Sequence, residues 1–108
     1  MSYALYIAAS AEDDLNEAAD YIEYELKNPQ AAVDLMEAVY EAVSTLTENP
    51  ARNPLVGDAV LKAWGMRFIR VKNYLVFYTV DADALRVDVI RVLYAKRNWM
   101  SILRGAGN

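Results

Sequence analysis

Arginine, lysine and tyrosine are the residues with chemistry to offer in this chain. Arg67, Arg70 and Lys72 fall within six positions, Arg91, Lys96 and Arg97 within seven, and Tyr74, Tyr78 and Tyr94 are interleaved with them. A guanidinium stays charged and grips phosphate through two parallel hydrogen bonds. A tyrosine ring stacks on a base, and its hydroxyl can pass a proton. Such a set can bind RNA and stabilise the anionic transition state formed when a 2′-hydroxyl attacks the adjacent phosphate, with no metal required. Arg70, Arg91, Tyr94 and Arg97 are the candidate catalytic groups. Arg67, Lys72 and Lys96 are the candidate substrate contacts. A plainer reading stands beside this one: Tyr78 is core, Tyr74 packs a turn, and the arginines solvate a sheet edge.

Other chemistries lack their parts. There is no histidine and no cysteine, so there is no Ser-His-Asp triad, no disulfide and no histidine or thiolate metal site. No phosphate-cradling glycine loop is present. Asp13 and Glu17 stand one helical turn apart, a spacing that reads as a solvated acidic face rather than a cation site. The expectation is therefore no cofactor and no metal. The apolar run Tyr3 to Ala9 is too short for a signal peptide and lacks a basic lead-in. No stretch approaches the ~20 apolar residues of a membrane helix. The absence of cysteine suits a reducing compartment, so the expected location is the cytoplasm, with no membrane partner.

Charge is divided between the halves. Residues 1–50 carry eleven carboxylates against Lys27 alone, a net −10. Residues 51–108 carry ten cations against four aspartates, a net +6, so the chain totals −4. The asymmetry fits an anionic partner for the basic half, and equally an acidic helical layer attracting a basic sheet.

The cations need a scaffold, and the hydrophobic spacing supplies one. Tyr3 to Ala9 reads as a first strand. Ser10 offers an N-cap, with Asp13 as a weak capping-box partner. Leu15, Ala19, Ile22 and Leu26 give one apolar face to a helix over about 11–27. Asn28-Pro29 stops that helix and starts the next, over about 29–48, with Leu35, Val39, Ala42, Val43 and Leu46 as its buried stripe. The short link predicts an antiparallel helical hairpin. Residues 50–65, with Pro50, Pro54, Gly57 and Gly65, read as loop.

Three strands come next, over about 67–72, 74–80 and 85–94. Asn73 supplies the positive φ of the first turn. The middle strand is apolar on both faces, as a central strand is. In the last strand the inward set changes parity from Val87 and Val89 to Ile90 and Val92, which predicts a β-bulge near Val89. Trp99 to Leu103 forms a short terminal helix, with Gly105 and Gly107 in a frayed tail. The expected fold is α+β, ordered β-α-α-β-β-β, one domain over 1–108. Its helical hairpin packs on one face of an antiparallel sheet and leaves the other face partly open.

With these residues in view the chain resembles the RelE/ParE superfamily of bacterial type II toxin–antitoxin toxins. The matching pieces are Ala11…Asp14-Leu15, Tyr21-Ile22, the junction Asn28-Pro29-Gln30-Ala31-Ala32, Leu46 followed by Pro50, Arg67…Val71…Asn73-Tyr74-Leu75-Val76-Phe77-Tyr78, and Arg91-Val92-Leu93-Tyr94-Ala95-Lys96-Arg97. The resemblance spans nearly the whole chain. It implies a small growth-inhibiting toxin of a plasmid-stabilisation system, wrapped by a cognate antitoxin encoded beside it. RelE-like members cut mRNA on the ribosome, commonly with an arginine just after the tyrosine that opens the middle strand. Leu75 holds that place here, and Leu103 stands near where a C-terminal tyrosine is frequent. ParE-like members poison DNA gyrase, and the Asn-Tyr-Leu-Val-Phe-Tyr run is closer to theirs. The implied activity is therefore a block of gyrase or another essential target through the basic sheet surface. The alternatives are a ribosome-dependent, metal-independent mRNA endonuclease and a non-toxic interaction module that keeps the fold.

Overall fold

The computed structural model describes residues 2–105. In chain order the elements are β1 (Ala4–Ile7), α1 (Ala9–Asp20), α2 (Pro29–Ser44), α3 (Ala59–Ala63), β2 (Arg67–Val71), β3 (Tyr74–Asp81), β4 (Arg86–Tyr94) and α4 (Trp99–Arg104). The four strands form one sheet in the order β1-β4-β3-β2. β2, β3 and β4 are antiparallel neighbours, whereas β1 pairs with β4 in parallel, Ala4 opposite Arg86 through Ile7 opposite Val89. The fold class is α+β. Its sheet is mixed rather than wholly antiparallel, because α1 and α2 together return the chain to its starting end before β2 begins.

Two apolar clusters sandwich the sheet. The first holds Ala11 and Leu15 of α1, Leu35, Val39 and Val43 of α2, and Val71, Val76, Tyr78, Val87, Val89 and Val92 from the strands. The second lies on the opposite face and holds Val56, Leu61, Met66, Leu75, Phe77, Leu93 and Leu103. That face was expected to be partly open. It is covered by the 54–66 segment, by the five-residue α3 inside it, and by α4. A helix as short as α3 shows too little periodicity to be read from sequence. Asp58 caps it by accepting from the Leu61 amide, and also pairs with Arg104 of α4. That guanidinium is the main reason the Asp58 carboxyl titrates below its ordinary range.

Local departures have local causes. α1 begins at Ala9, not Ala11, and Ala8 occupies the N-cap position without a side-chain bond. The Ser10 hydroxyl instead donates to the Ile90 carbonyl at 2.8 Å. Asn28 caps α2 as expected, accepting from the Ala31 amide at 3.1 Å. α1 passes into a π-helical turn at Tyr21–Glu25, closed by the Leu26 amide on the Tyr21 carbonyl. The wider turn rotates the residues after it, so Leu26 leaves the buried face and is 57% exposed. In the β2–β3 turn Lys72, not Asn73, takes the left-handed backbone, with φ +54°. The bulge is present: Phe77 pairs with Arg91 and Tyr78 with Val89, leaving Ile90 as the extra residue. Ile90 packs against the second cluster, so it is Val92 that continues the helix-side row after Val89. Gly107 lies outside the described residues.

Tyr78 ties the sheet to the loop beneath α2. It is fully buried, and its hydroxyl donates to the Pro50 carbonyl at 2.6 Å. Replacing Tyr78 with Phe leaves that buried carbonyl without its donor. The expected loss is about 1–3 kcal/mol, read as a lower urea midpoint with an unchanged denaturant slope.

Candidate functional site at the hairpin end of the sheet

The predicted cations divide into those the fold consumes and those it presents. Arg67 is consumed. Its guanidinium donates to the Ala51 and Asn53 carbonyls at 3.0 and 2.6 Å, holding the 50–53 segment against the sheet. Arg91 is consumed too. It comes just after the bulge and forms a two-pronged pair with Asp14 of α1, Nε to Oδ2 at 2.7 Å and Nη2 to Oδ1 at 2.8 Å. The Asp14 side chain is 8% exposed and that of Arg91 24%. Bonding to Asp14 is the first reason the Arg91 pKa is raised, against the opposing effect of burial.

Asp14 does a second job. β1 borders β4 only as far as Val89. Beyond that point α1 takes over, the Ser10 hydroxyl donating to the Ile90 carbonyl while the Asp14 carboxylate accepts from the Val92 amide at 3.0 Å. A side chain thus completes the strand edge where no strand remains. Asp14 enters the sequence reading only as part of the Ala11…Asp14-Leu15 motif, and nothing in its spacing marks the tertiary role. Among the described residues, Asp14–Arg91 is the one ion pair joining the acidic half to the basic half.

The presented groups are Arg70, Lys72, Tyr94, Lys96 and Arg97, all exposed. The Ala95 amide donates to the Asn73 carbonyl at 2.8 Å. That bond sets the turn after β4 against the β2–β3 turn and so brings Lys72, Lys96 and Arg97 to one end of the sheet. Arg70 donates to the Lys72 carbonyl at 3.0 Å at the same end. It has the strand parity of Phe68, which packs on the second cluster, so it leaves the face opposite α1. Arg97 lines a cleft on the α1 side. The expected joint patch of Arg70, Arg91 and Arg97 is therefore not formed: Asp14 neutralises Arg91, and Arg70 and Arg97 serve opposite sides.

What gathers at this end is aromatic. A cleft of about 210 Å³ is lined by Asp14, Glu17, Tyr21, Tyr74, Tyr94 and Arg97 among others. A second, of about 520 Å³, is lined by Tyr21, Ile22, Leu26, Asn73, Tyr74 and Tyr94. They share the three tyrosines and run as one groove between the tip of the helical hairpin and the ends of β3 and β4. Tyr74 and Tyr94, paired across the strands, meet edge to face with ring centres 5.6 Å apart. Burial first, then the neighbouring Tyr94 and Tyr21, push the Tyr74 phenol above its ordinary value of 10.0. It is protonated at neutral pH and so supplies a hydrogen-bond donor, not a base. From sequence, Leu26 falls on the buried face of the first helix and Tyr21 has no site role. Tyr21 reaches the groove from the face of α1 that carries Glu17 and Ala18, and the π-turn brings Leu26 there.

A helical hairpin over a four-stranded sheet, with cations at the turn end, is an α+β arrangement with counterparts among solved structures. The chain matches the chromosomal ParDE toxin–antitoxin system of P. aeruginosa with a TM-score of 0.72 at 15% identity, covering 88% of this chain and 98% of that one. It matches the RelBE2 toxin–antitoxin complex of Mycobacterium tuberculosis at 0.58 and 18% identity, over 87% and 99% of the two chains. The intact E. coli RelBE complex matches at 0.52 and 22% identity, over 89% and 100%. These likenesses show the fold. No curated protein matches the sequence. Residues 5–99 match the family described as ParE toxin of type II toxin-antitoxin system, parDE. The chain belongs to that family and is a toxin of a type II toxin–antitoxin system. No helix among the described residues is long and apolar enough to cross a membrane.

Asp14→Ala strands the Arg91 guanidinium and the Val92 amide together. The expected destabilisation is roughly 2–3 kcal/mol, below the ~3–5 of a fully buried pair because Arg91 keeps some contact with water, read from thermal or urea unfolding. Alkaline pH gives a second expectation. A phenol whose pKa rises on folding contributes stability that is complete below the unfolded value and is lost as pH climbs through the folded one. Unfolding midpoints should thus fall above pH 10, through Tyr74 and through Tyr78, whose pKa burial also raises. Tyr74→Phe should flatten that fall.

Proposed function

We propose that this toxin arrests growth by binding an essential cytoplasmic protein, DNA gyrase foremost, and that a cognate antitoxin neutralises it by covering the same surface. One observation carries the choice of binding over cleavage: the sheet face away from the helical hairpin is closed. Met66, Leu75, Phe77 and Leu93 lie buried there under α3 and α4. Leu75, in the place where RelE-like nucleases commonly carry an arginine, is 7% exposed within this packing. A phosphodiester laid on that face would find apolar side chains. Of the cations proposed for catalysis, Arg91 is held by Asp14, which leaves Arg70 and Arg97 with Tyr94 at the turn end. Antitoxin binding is supported by the neighbours, which are toxin–antitoxin complexes. A role in plasmid stabilisation accords with such a pair.

Ribosome-dependent mRNA cleavage is the second reading. It draws on the exposure of Tyr94, Lys96 and Arg97 side by side, with Lys72 close by. A non-toxic interaction module is the third.

Inducing the chain alone should arrest growth, and co-expression of the neighbouring open reading frame should relieve the arrest. Purified protein added to a gyrase supercoiling assay should inhibit it at stoichiometric excess, and primer extension on translated mRNA should show no new 5′ ends. Unaffected supercoiling together with new 5′ ends moves the assignment to the nuclease. Unimpaired growth removes toxicity altogether.

A further inference from the structure

We propose that the free edge of β1 pairs antiparallel with β1 of a second copy of this chain, about a two-fold axis at Tyr6, so that one sheet runs through both copies. The inference does not depend on which target the toxin strikes. It starts from the backbone. The Ala4 and Ala8 amides donate to the Leu85 and Val89 carbonyls at 2.8 and 2.9 Å. Alternate residues therefore face β4, and Leu5 and Ile7 turn their amides and carbonyls away from the sheet. Among the described residues no backbone hydrogen bond from outside the ladder reaches either of them.

The two edges of the sheet differ. β2 is guarded: Leu55 bridges Arg67, the Phe68 amide donates to the Pro54 carbonyl, and Arg70 and Lys72 put charge on the rest of the edge. Covering segments and charges are how proteins keep sheet edges from pairing. Ala4–Ile7 carries neither charge nor proline. The cover at that edge lies before the strand starts, where the Tyr3 amide donates to the Thr47 carbonyl at 2.9 Å. An open, uncharged edge is a template for another strand.

Self-complementarity selects the occupant. With Leu5 of one copy opposite Ile7 of the other, both free residues of each strand exchange amide and carbonyl bonds, and Tyr6 faces Tyr6 in the close, non-hydrogen-bonded pair. The next hydrogen-bonded pair would set Tyr3 against Ala9. There the Thr47 bond on one copy and the start of α1 on the other end the pairing. Leu5 and Ile7 pack on the helix-side cluster, so Tyr6 stands on the far face. It is 56% exposed, with the Arg86 guanidinium 5.5 Å from its ring centre. Two such rings side by side form the aromatic cross-strand pair that stabilises antiparallel ladders. The charges agree as well. Ala4 lies opposite Arg86 within one copy and would lie opposite Ala8 of the other. The acidic start of the second copy's α1, with exposed Glu12 and Asp13, thus comes to the end of the sheet that carries Arg86. A strand without charge has nothing to repel its own copy on the axis.

The test uses the purified full chain. The paired strand is short and falls below a standard interface in size, so association should be weak. Dimer should grow in as concentration rises through roughly 10–1,000 µM in sedimentation velocity. Over that range the Leu5 and Ile7 amides should become protected from hydrogen exchange, while the Tyr6 amide, on the β4 side, is protected throughout. Tyr6→Lys sets like charges face to face and should weaken the dimer about tenfold or more in a chain whose circular dichroism is unchanged. The chain has no cysteine, so Tyr6→Cys places a single thiol on the axis. The Cα spacing of a non-hydrogen-bonded pair, about 4.5 Å, lies within reach of a disulfide. Mild oxidation should link Tyr6→Cys into a covalent dimer about tenfold or more faster than Trp64→Cys, a similarly exposed position outside β1. The proposal is overturned by a monomer across that range, by Leu5 and Ile7 amides whose exchange ignores concentration, by a dimer that Tyr6→Lys leaves intact, or by equal oxidation rates for the two cysteine variants. Should Tyr6→Lys fail to fold, the exchange and cross-linking results decide.

Discussion

One carboxylate sets the geometry on which the rest of the molecule depends. Asp14 accepts from Arg91 through both oxygens and from the Val92 amide with one of them. Three donors converge on a group with little access to water, which is the arrangement that makes a charged hydrogen bond strong. The bond settles three matters together. It finishes the edge of β4 where β1 stops. It fixes α1 along that edge, so the hairpin tip overhangs the end of the sheet. It also withdraws Arg91 from any role at the surface. The β-bulge at Ile90 is part of the same device, because it is where the helix-side row of β4 changes parity ahead of Arg91 and Val92.

The second constraint is closure of the far face. A sheet with helices on one side only leaves half its pleat wet. Here residues 54–66 and 99–104 supply a second, thinner layer over Leu75, Phe77 and Leu93. Trp99 stacks against Phe77 at 5.2 Å, and Arg104 reaches Asp58, so α4 is tied down at both of its ends. A chain built this way has its open chemistry at an end of the sheet rather than on a face. Surface character then comes from turns and helix termini: the Lys72-Asn73 turn, the 95–98 turn and the π-turn after α1.

These placements bear on how members of one fold serve different targets. Fold similarity reaches both ParDE and RelBE structures, so architecture alone does not decide what a member acts on. Side chains do. An arginine in place of Leu75 would need an open face to act on, and in this chain that face is core. What this chain leaves open instead is an aromatic groove lined by Tyr21, Tyr74 and Tyr94, with Glu17 and Arg97 beside it.

Much of this was legible from sequence, for reasons of periodicity. Leu35, Val39, Val43 and Leu46 are buried along α2 and the turn after it because residues three and four apart share a face. Asn28-Pro29 marks a boundary because proline has no amide to donate and asparagine can cap. Tyr74 to Val80 reads as a central strand because both of its faces are apolar. The mixed character of the sheet, the closing layer and the fate of the arginines were not legible. Arg67, Arg70, Arg91 and Arg97 are the same residue in the one-dimensional record. Which of them meets a carbonyl, a carboxylate or water depends on contacts such as Asp14 with Arg91, 77 positions apart. Local spacing determined most of the elements, and the resemblance carried by the named motifs pointed to the family. The allocation of charge between scaffold and surface was decided only in three dimensions, because an ion pair forms between groups that folding brings together, whatever their separation along the chain.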